Sequence, residues 1–196
     1  GPWWRIRYDE FGEDTSANYD LPLDATDTFT VDAGNDNQLK FTAVVADTFD
    51  THQEAEARGL VTTGEDIGPS AFCAKVTLPN TATVGSYGGI VFGYKSMNDY
   101  WMLVTEIVSV GYNRTKLYHV VDGAKTQVAQ GGQYTYDLGT GYTLWDSGKA
   151  NGLARMSVTL SDSWPGGKFG LTTNVQDCAV EDFYVSDAPA ADMGGR

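Results

Sequence analysis

Cysteine is nearly absent from this chain, with only Cys73 and Cys178 among 196 residues. Histidine is as scarce, also with two. No Cys-x-x-Cys pair and no pair of histidines at zinc spacing occurs, which argues against a zinc site. Basic residues number 13 against 26 acidic ones, for a formal net charge of −13. So acidic a surface argues against nucleic acid and anionic membrane as partners, since both demand basic surface. No apolar run is long enough to span a bilayer, so membrane insertion is not expected. EF-hand spacing, a phosphate-binding loop and a Ser-His-Asp order are all missing. Helix-forming runs are few, whereas 23 glycines and 11 tyrosines favour an all-β chain.

What is present is clearest between Gly88 and Val121. Three apolar runs, Gly89 to Tyr94, Tyr100 to Val108 and Lys116 to Val121, are separated by turn chemistry at Ser96 to Asp99 and Gly111 to Thr115. That is a strand–hairpin–strand pattern. Alternation sets Ile90, Phe92, Trp101 and Leu103 on a core face. Tyr100 and Glu106 then lie on an accessible face, joined by His119 if the third strand keeps its polar side outward. By alternation Tyr94 belongs with Ile90 and Phe92 unless a bulge intervenes.

The run GGIVFGYKSMNDYWMLV resembles the central hairpin of concanavalin A-like and laminin G-like β-sandwiches. It is also similar to the matching hairpin of thrombospondin C-terminal domains and of secreted bacterial glycan-binding modules. Asp9-Glu10-Phe11 with Asp14 to Tyr19 resembles the opening strand and loop of the bacterial versions. Gly167 to Leu171 and Glu181 to Val185 resemble their last two strands. The resemblance implies an all-β, two-sheet antiparallel jelly-roll sandwich of roughly ten to fourteen strands. It leaves function open, because one fold hosts many activities. It also implies that the strands bearing Cys73 and Cys178 are neighbours, so a disulfide is expected, with two separate thiols as the alternative.

Residues Asp9 to Asp36 are dense in carboxylates, and calcium takes six to eight oxygen ligands of this kind. By the resemblance a structural calcium is expected where the first and last strands meet, near Asp9, Glu181 and Asp182. A solvated acidic surface is the other reading. Trp3-Trp4 reads as part of a first strand or as exposed stacking residues. His52, Glu54, Glu56 and Arg58 fall in a long loop with one helical turn near Gln53 to Ala57. Leu153 to Leu160 reads as a strand. Tyr134, Tyr136, Tyr142 and Trp145 either form an aromatic platform for sugar or pin loops to the sandwich edge. Asn113-Arg114-Thr115 is a glycosylation sequon.

One sandwich domain is expected over residues 3–187, preceded by an expression scar at 1–2 and followed by a linker-like tail at 188–196. The expected function is a non-catalytic carbohydrate-binding or adhesion module of a secreted or cell-surface multidomain protein, with a glycan or other cell-surface ligand. The alternatives are a polysaccharide-active enzyme, glycosidase or lyase, and a structural or peptide-binding adhesin domain. Face candidates for the ligand are Tyr100, Glu106 and His119; rim candidates are Tyr112, Arg114 and Tyr134.

Overall fold

The computed structural model describes residues 6–16, 19–20, 28–44, 60–61, 71–96, 98–146 and 168–186. These form strands β1 (Ile6–Asp9), β2 (Tyr19–Asp20), β3 (Thr28–Asp32), β4 (Gln38–Ala43), β5 (Leu60–Val61), β6 (Ala71–Thr77) and β7 (Tyr87–Ser96). They continue as β8 (Asp99–Ser109), β9 (Tyr112–Val121), β10 (Ala124–Gln130), β11 (Tyr134–Thr135), β12 (Gly141–Asp146), β13 (Lys168–Thr173) and β14 (Ala179–Ser186). The expected helical turn, the strand over 153–160, Trp3-Trp4 and the tail lie outside the described residues.

The first sheet runs β12-β6-β14-β4-β3, with β1 also paired to β14. Strand β4 pairs with the start of β14 at Ala179 and Val180, and β1 takes over the same strand from Phe183 to Ser186. The second sheet runs β10-β9-β8-β7-β13, with β11 also paired to β9. All these pairings are antiparallel. A two-stranded sheet, β2-β5, completes the set.

The two large sheets face each other across one core. Leu39, Phe41, Phe72, Ala74, Val76 and Val180 of the first sheet meet Ile90, Phe92, Leu103, Leu117 and Leu171 of the second. The Phe72 ring lies 5.0 Å from Phe92 and 5.4 Å from Phe169, a cross-sheet aromatic cluster. The expected core residues Ile90, Phe92 and Leu103 are fully buried, and Trp101 is partly buried against them. The architecture is therefore the all-β sandwich expected from the hairpin.

Several boundaries differ. Strand β9 starts at Tyr112, so the sequon Asn113-Arg114-Thr115 sits inside a strand rather than in a turn. Asn113 is fully buried, and its Nδ2 donates to Thr105 Oγ1 at 2.8 Å, so the folded chain does not present it for glycosylation. The polar stretch after Thr126 carries strands β10 to β12, which periodicity alone did not reveal, because edge strands need no apolar face.

Tyr94 leaves the Ile90–Phe92 face. The β7–β8 register shifts between Phe92 and Ser96, where Gly93 takes φ +58°. The extra residue turns Tyr94 to the side of Val91 and Tyr100, whose ring lies 5.7 Å away.

In this structure Cys73 and Cys178 stand apart as separate thiols, the alternative to the expected disulfide, and alternation explains why. Strands β6 and β14 are neighbours as expected. Cys178 packs in the core between the sheets. Cys73 lies between Phe72 and Ala74, both core residues, and so turns to the outer side with Lys75, Thr143 and Tyr184. Both cysteines are unbridged thiols, on opposite faces of one sheet.

Two adjacent glycines hold the hairpin against its neighbours. A methyl at Gly88 would stand 2.7 Å from Cys178 Sγ. One at Gly89 would collide with the Leu103 carbonyl and stand 2.7 Å from Val104 Cα. We expect Gly89→Ala to lose about 1–3 kcal/mol or more, as overpacking does. Gly132→Ala, with nothing near, should stay within about 0.5 kcal/mol of the parent. Urea unfolding of both variants checks this.

Burial pushes the pKa of the Cys178 thiol up to about 12, from about 9 for an exposed thiol. The unfolded chain thus ionises at this group first. Stability should be whole below pH 9 and fall as pH rises from there toward about 12. Cys178→Ala, despite its cavity cost, should flatten that alkaline slope in melting experiments. Denatured, unreduced protein should titrate two thiols with Ellman's reagent.

Candidate functional site

The second sheet has two faces, and both are filled. On the side turned away from the core, Tyr87, Val91, Tyr94, Tyr100, Met102, Val104, Tyr118 and Val120 pack as a second apolar cluster. Tyr100, expected on an open face, is 0% exposed and Glu106 is 9% exposed. Each is packed as an interior side chain is.

Glu106 survives there because it is fully engaged. Its Oε1 accepts from the Tyr118 hydroxyl at 2.7 Å, and its Oε2 lies 2.6 Å from Lys116 Nζ. Buried charges persist only when paired and hydrogen-bonded. Beside this network Lys125 Nζ stands over the Tyr118 ring, 4.2 Å from its centroid, and over Tyr87 at 5.2 Å. Cation–π attraction holds that ammonium at the aromatic faces.

His119 does not join Tyr100 and Glu106. It pairs across the ladder with Trp101 and stacks on the indole at 3.8 Å, on the core-facing side. Its Nε2 lies 3.7 Å from Asp99 Oδ1. Burial lowers its pKa, against the opposing pull of the Asp99 carboxylate, so the ring favours the neutral form. The face expected to bind ligand is thus divided between the two sides of the sheet.

The three residues expected near a calcium lie on the paired strands β1 and β14. Asp9 pairs through its backbone with Phe183, and Glu181 forms an ion pair with Lys75 at 3.7 Å. Asp182 sits at a bulge in β14 with φ +49°. Among the described residues no three His, Cys, Asp or Glu side chains come together.

The open site is at one end of the sandwich. A cleft of about 710 Å³ lies there, walled by three loops. Ala82, Thr83 and Val84 come from the β6–β7 loop, Val110 and Gly111 from the β8–β9 turn, and Asp137 and Leu138 from the loop after β11. Ile107, Asn113 and Tyr136 close the inner side. Backbone bonds fix the loops to the sheets. Gly85 N donates to Ile107 O at 2.8 Å, Tyr136 N to Gly111 O at 2.9 Å and Gly139 N to Leu78 O at 2.9 Å.

The tyrosines build this frame. The Tyr136 hydroxyl accepts from Leu78 N at 3.1 Å and donates to Thr140 O at 3.3 Å. Burial raises its pKa far above the usual phenol value. Tyr142 stacks on Tyr136 at 4.2 Å and accepts from Asp137 N at 3.2 Å. Tyr134 shares a hydrogen bond with Thr105, which also takes the Asn113 Nδ2 bond. Of the rim candidates, Tyr134 supports the cleft from behind, Arg114 is anchored to Gly131 O at 2.8 Å, and Tyr112 is 44% exposed beside the β8–β9 turn.

No protein-family model and no curated sequence matches the chain. Solved structures do. A GH43 glycoside hydrolase engineered to display both endo-xylanase and exo-arabinofuranosidase activity aligns with a TM-score of 0.54 at 17% identity, over 92% of this chain and 40% of that one. The GH43 protein BlXynB of Bacillus licheniformis aligns with 0.52 at 16% identity, over 91% and 38%. The carbohydrate-binding module CBM66 of Bacillus subtilis gives 0.45 at 13% identity, over 91% of both chains.

The fold is shared. The glycoside hydrolase chains establish that much, and this chain spans well under half the length of either.

Sequence reasoning missed the residues that shape the cleft. Val84-Gly85, Val110-Gly111 and Leu138-Gly139 are three aliphatic–glycine pairs in turns, each glycine at positive φ: +94°, +79° and +79°. Turns favour polar residues. An aliphatic residue beside the turn glycine, three times over, was the signal available.

Removing Glu106 takes away the carboxylate that answers Lys116 and the Tyr118 hydroxyl in a buried site. We expect Glu106→Ala to cost about 3–5 kcal/mol. The double variant Glu106→Gln, Lys116→Met should recover much of that loss. Chemical denaturation of the two proteins checks the difference.

Proposed function

We propose that this chain is a non-catalytic glycan-binding domain of a longer, secreted or cell-surface protein, and that its ligand seats in the end cleft. The observation that carries the reading is the cleft itself: a concave, loop-framed site with apolar walls and a few polar groups, as ligand sites are built. Its volume of about 710 Å³ suits a short oligosaccharide or the end of a chain. The glycan class is supported by the sandwich shared with GH43 glycoside hydrolase chains, one with endo-xylanase and exo-arabinofuranosidase activity. Their greater length supports a place beside other domains.

The enzyme alternative draws less support. Glycoside hydrolysis uses two carboxyl groups flanking the bond, one to donate a proton and one to attack or activate water. Glu106 is committed to Lys116 and Tyr118, and His119 faces the other side of the sheet. Neither stands at the cleft.

The test is a glycan array probed with the whole chain, each hit repeated with two variants. Val110, 88% exposed at the cleft, becomes Val110→Glu. Val128, 44% exposed on the outer edge strand, becomes Val128→Glu as a control. A carboxylate in the apolar wall should weaken binding at least about tenfold, and the control should bind as the parent does. An array with no hits, or hits indifferent to Val110→Glu, would remove this reading.

A further inference from the structure

The cleft wall is aliphatic to a degree that a plain hydroxyl-covered sugar does not explain. Val110 is 88% exposed, Val84 57% and Leu138 36%, and all three line the same cleft. Converging exposed apolar side chains on separate loops mark a binding surface. Each stands just before a glycine whose positive φ lets the turn close tightly, and each loop is tied to the sheets by backbone hydrogen bonds. The three side chains are therefore held in place before any ligand arrives.

A second observation is independent of the first. Asn113 lines the cleft and is 0% exposed. Its Nδ2 donates to Thr105 Oγ1 at 2.8 Å, whereas its Oδ1 has no hydrogen-bonding partner among the protein groups. A buried acceptor left unanswered carries its full desolvation penalty. A ligand that brings a donor there, with a small shift of the Asn113 side chain that uncovers the atom, regains it.

We infer that the end cleft is a subsite for an acetamido group, so that the glycans recognised contain N-acetylhexosamine units. The inference rests on the glycan-binding reading above. An acetamido substituent puts a methyl group and an N–H within two bonds of each other. The methyl meets the aliphatic wall of Val84, Val110, Ile107 and Leu138, and the N–H donates to Asn113 Oδ1. A bare hexose hydroxyl satisfies the acceptor but leaves the wall facing polar surface. Asp137, exposed at the rim, accepts from ring hydroxyls. The net charge of −13 disfavours anionic sugars in the same place and suits a neutral one.

The probes are N,N′,N″-triacetylchitotriose and cellotriose. They share a β-1,4-linked backbone and differ at C2, acetamido against hydroxyl. Calorimetric titration of the whole chain should show triacetylchitotriose binding at least about tenfold more tightly, from the added methyl burial and the answered acceptor. In 15N-labelled protein its addition should shift the Asn113 side-chain amide signals, a readout that needs no variant. Val110→Glu and Leu138→Glu should each abolish the preference while melting as the parent does. Equal affinity for the two trisaccharides, an unmoved Asn113 amide, or full affinity in both variants would overturn the acetamido subsite. Array hits confined to glycans without acetamido groups would overturn it and leave the glycan-binding reading standing. An array with no hits at all would remove both.

Discussion

Strand β8 is buried on both faces, and that constraint shapes the rest of the molecule. Trp101, Leu103 and Ile107 pack into the core between the sheets, while Tyr100, Met102 and Val104 pack into a second cluster behind them. A strand so placed has no room for an unpaired charge. Glu106 is accordingly held between Lys116 and Tyr118, two residues of the adjacent strand β9. The same two-sided burial explains why β7 carries glycine at 88 and 89, where a side chain would strike Cys178 on one side and the β8 backbone on the other. It explains as well why, among the described residues, the aromatic side chains Tyr87, Tyr94, Tyr100 and Tyr118 on the broad face of the second sheet are buried.

With that face of the second sheet filled, the larger of the described concavities lies at the end of the sandwich. There the strands stop, and the loops that join them are free to carry side chains that the core does not use. Three turns bring Val84, Val110 and Leu138 around a single cleft, and tyrosines 134, 136 and 142 anchor its walls through their hydroxyl groups. The division of labour is physical. Aromatic residues, with large apolar bodies and a polar tip, serve as struts that tie a loop to a sheet. Smaller aliphatic residues, which need no hydrogen-bonding partner, form the contact surface.

The fold is shared with glycoside hydrolase chains at low identity, and no family model matches the chain. Fold and site are separate matters, since one sandwich supports many chemistries by varying its loops. Among the described residues, the end cleft of this chain combines aliphatic walls, the buried Asn113 amide and the Asp137 carboxylate at its rim.

The sequence by itself determined the class of fold, the central hairpin and the core face of it. Ile90, Phe92 and Leu103 were legible because one-sided burial imposes a period of two, and that period survives in any sandwich. The continuous apolar run Tyr100 to Val104 also held a warning that alternation passed over: strands buried on both faces lose their alternation. Only the tertiary structure decided which side each remaining residue took. One bulge at Gly93 moved Tyr94 across the sheet, and the register of β9 set His119 against Trp101. A shift of one residue on β6 separates Cys73 from the core that holds Cys178. The cleft was beyond the sequence for a further reason. It is assembled from three loops far apart in the chain, and what brings Val84, Val110 and Leu138 together is strand pairing between residues that no local pattern connects.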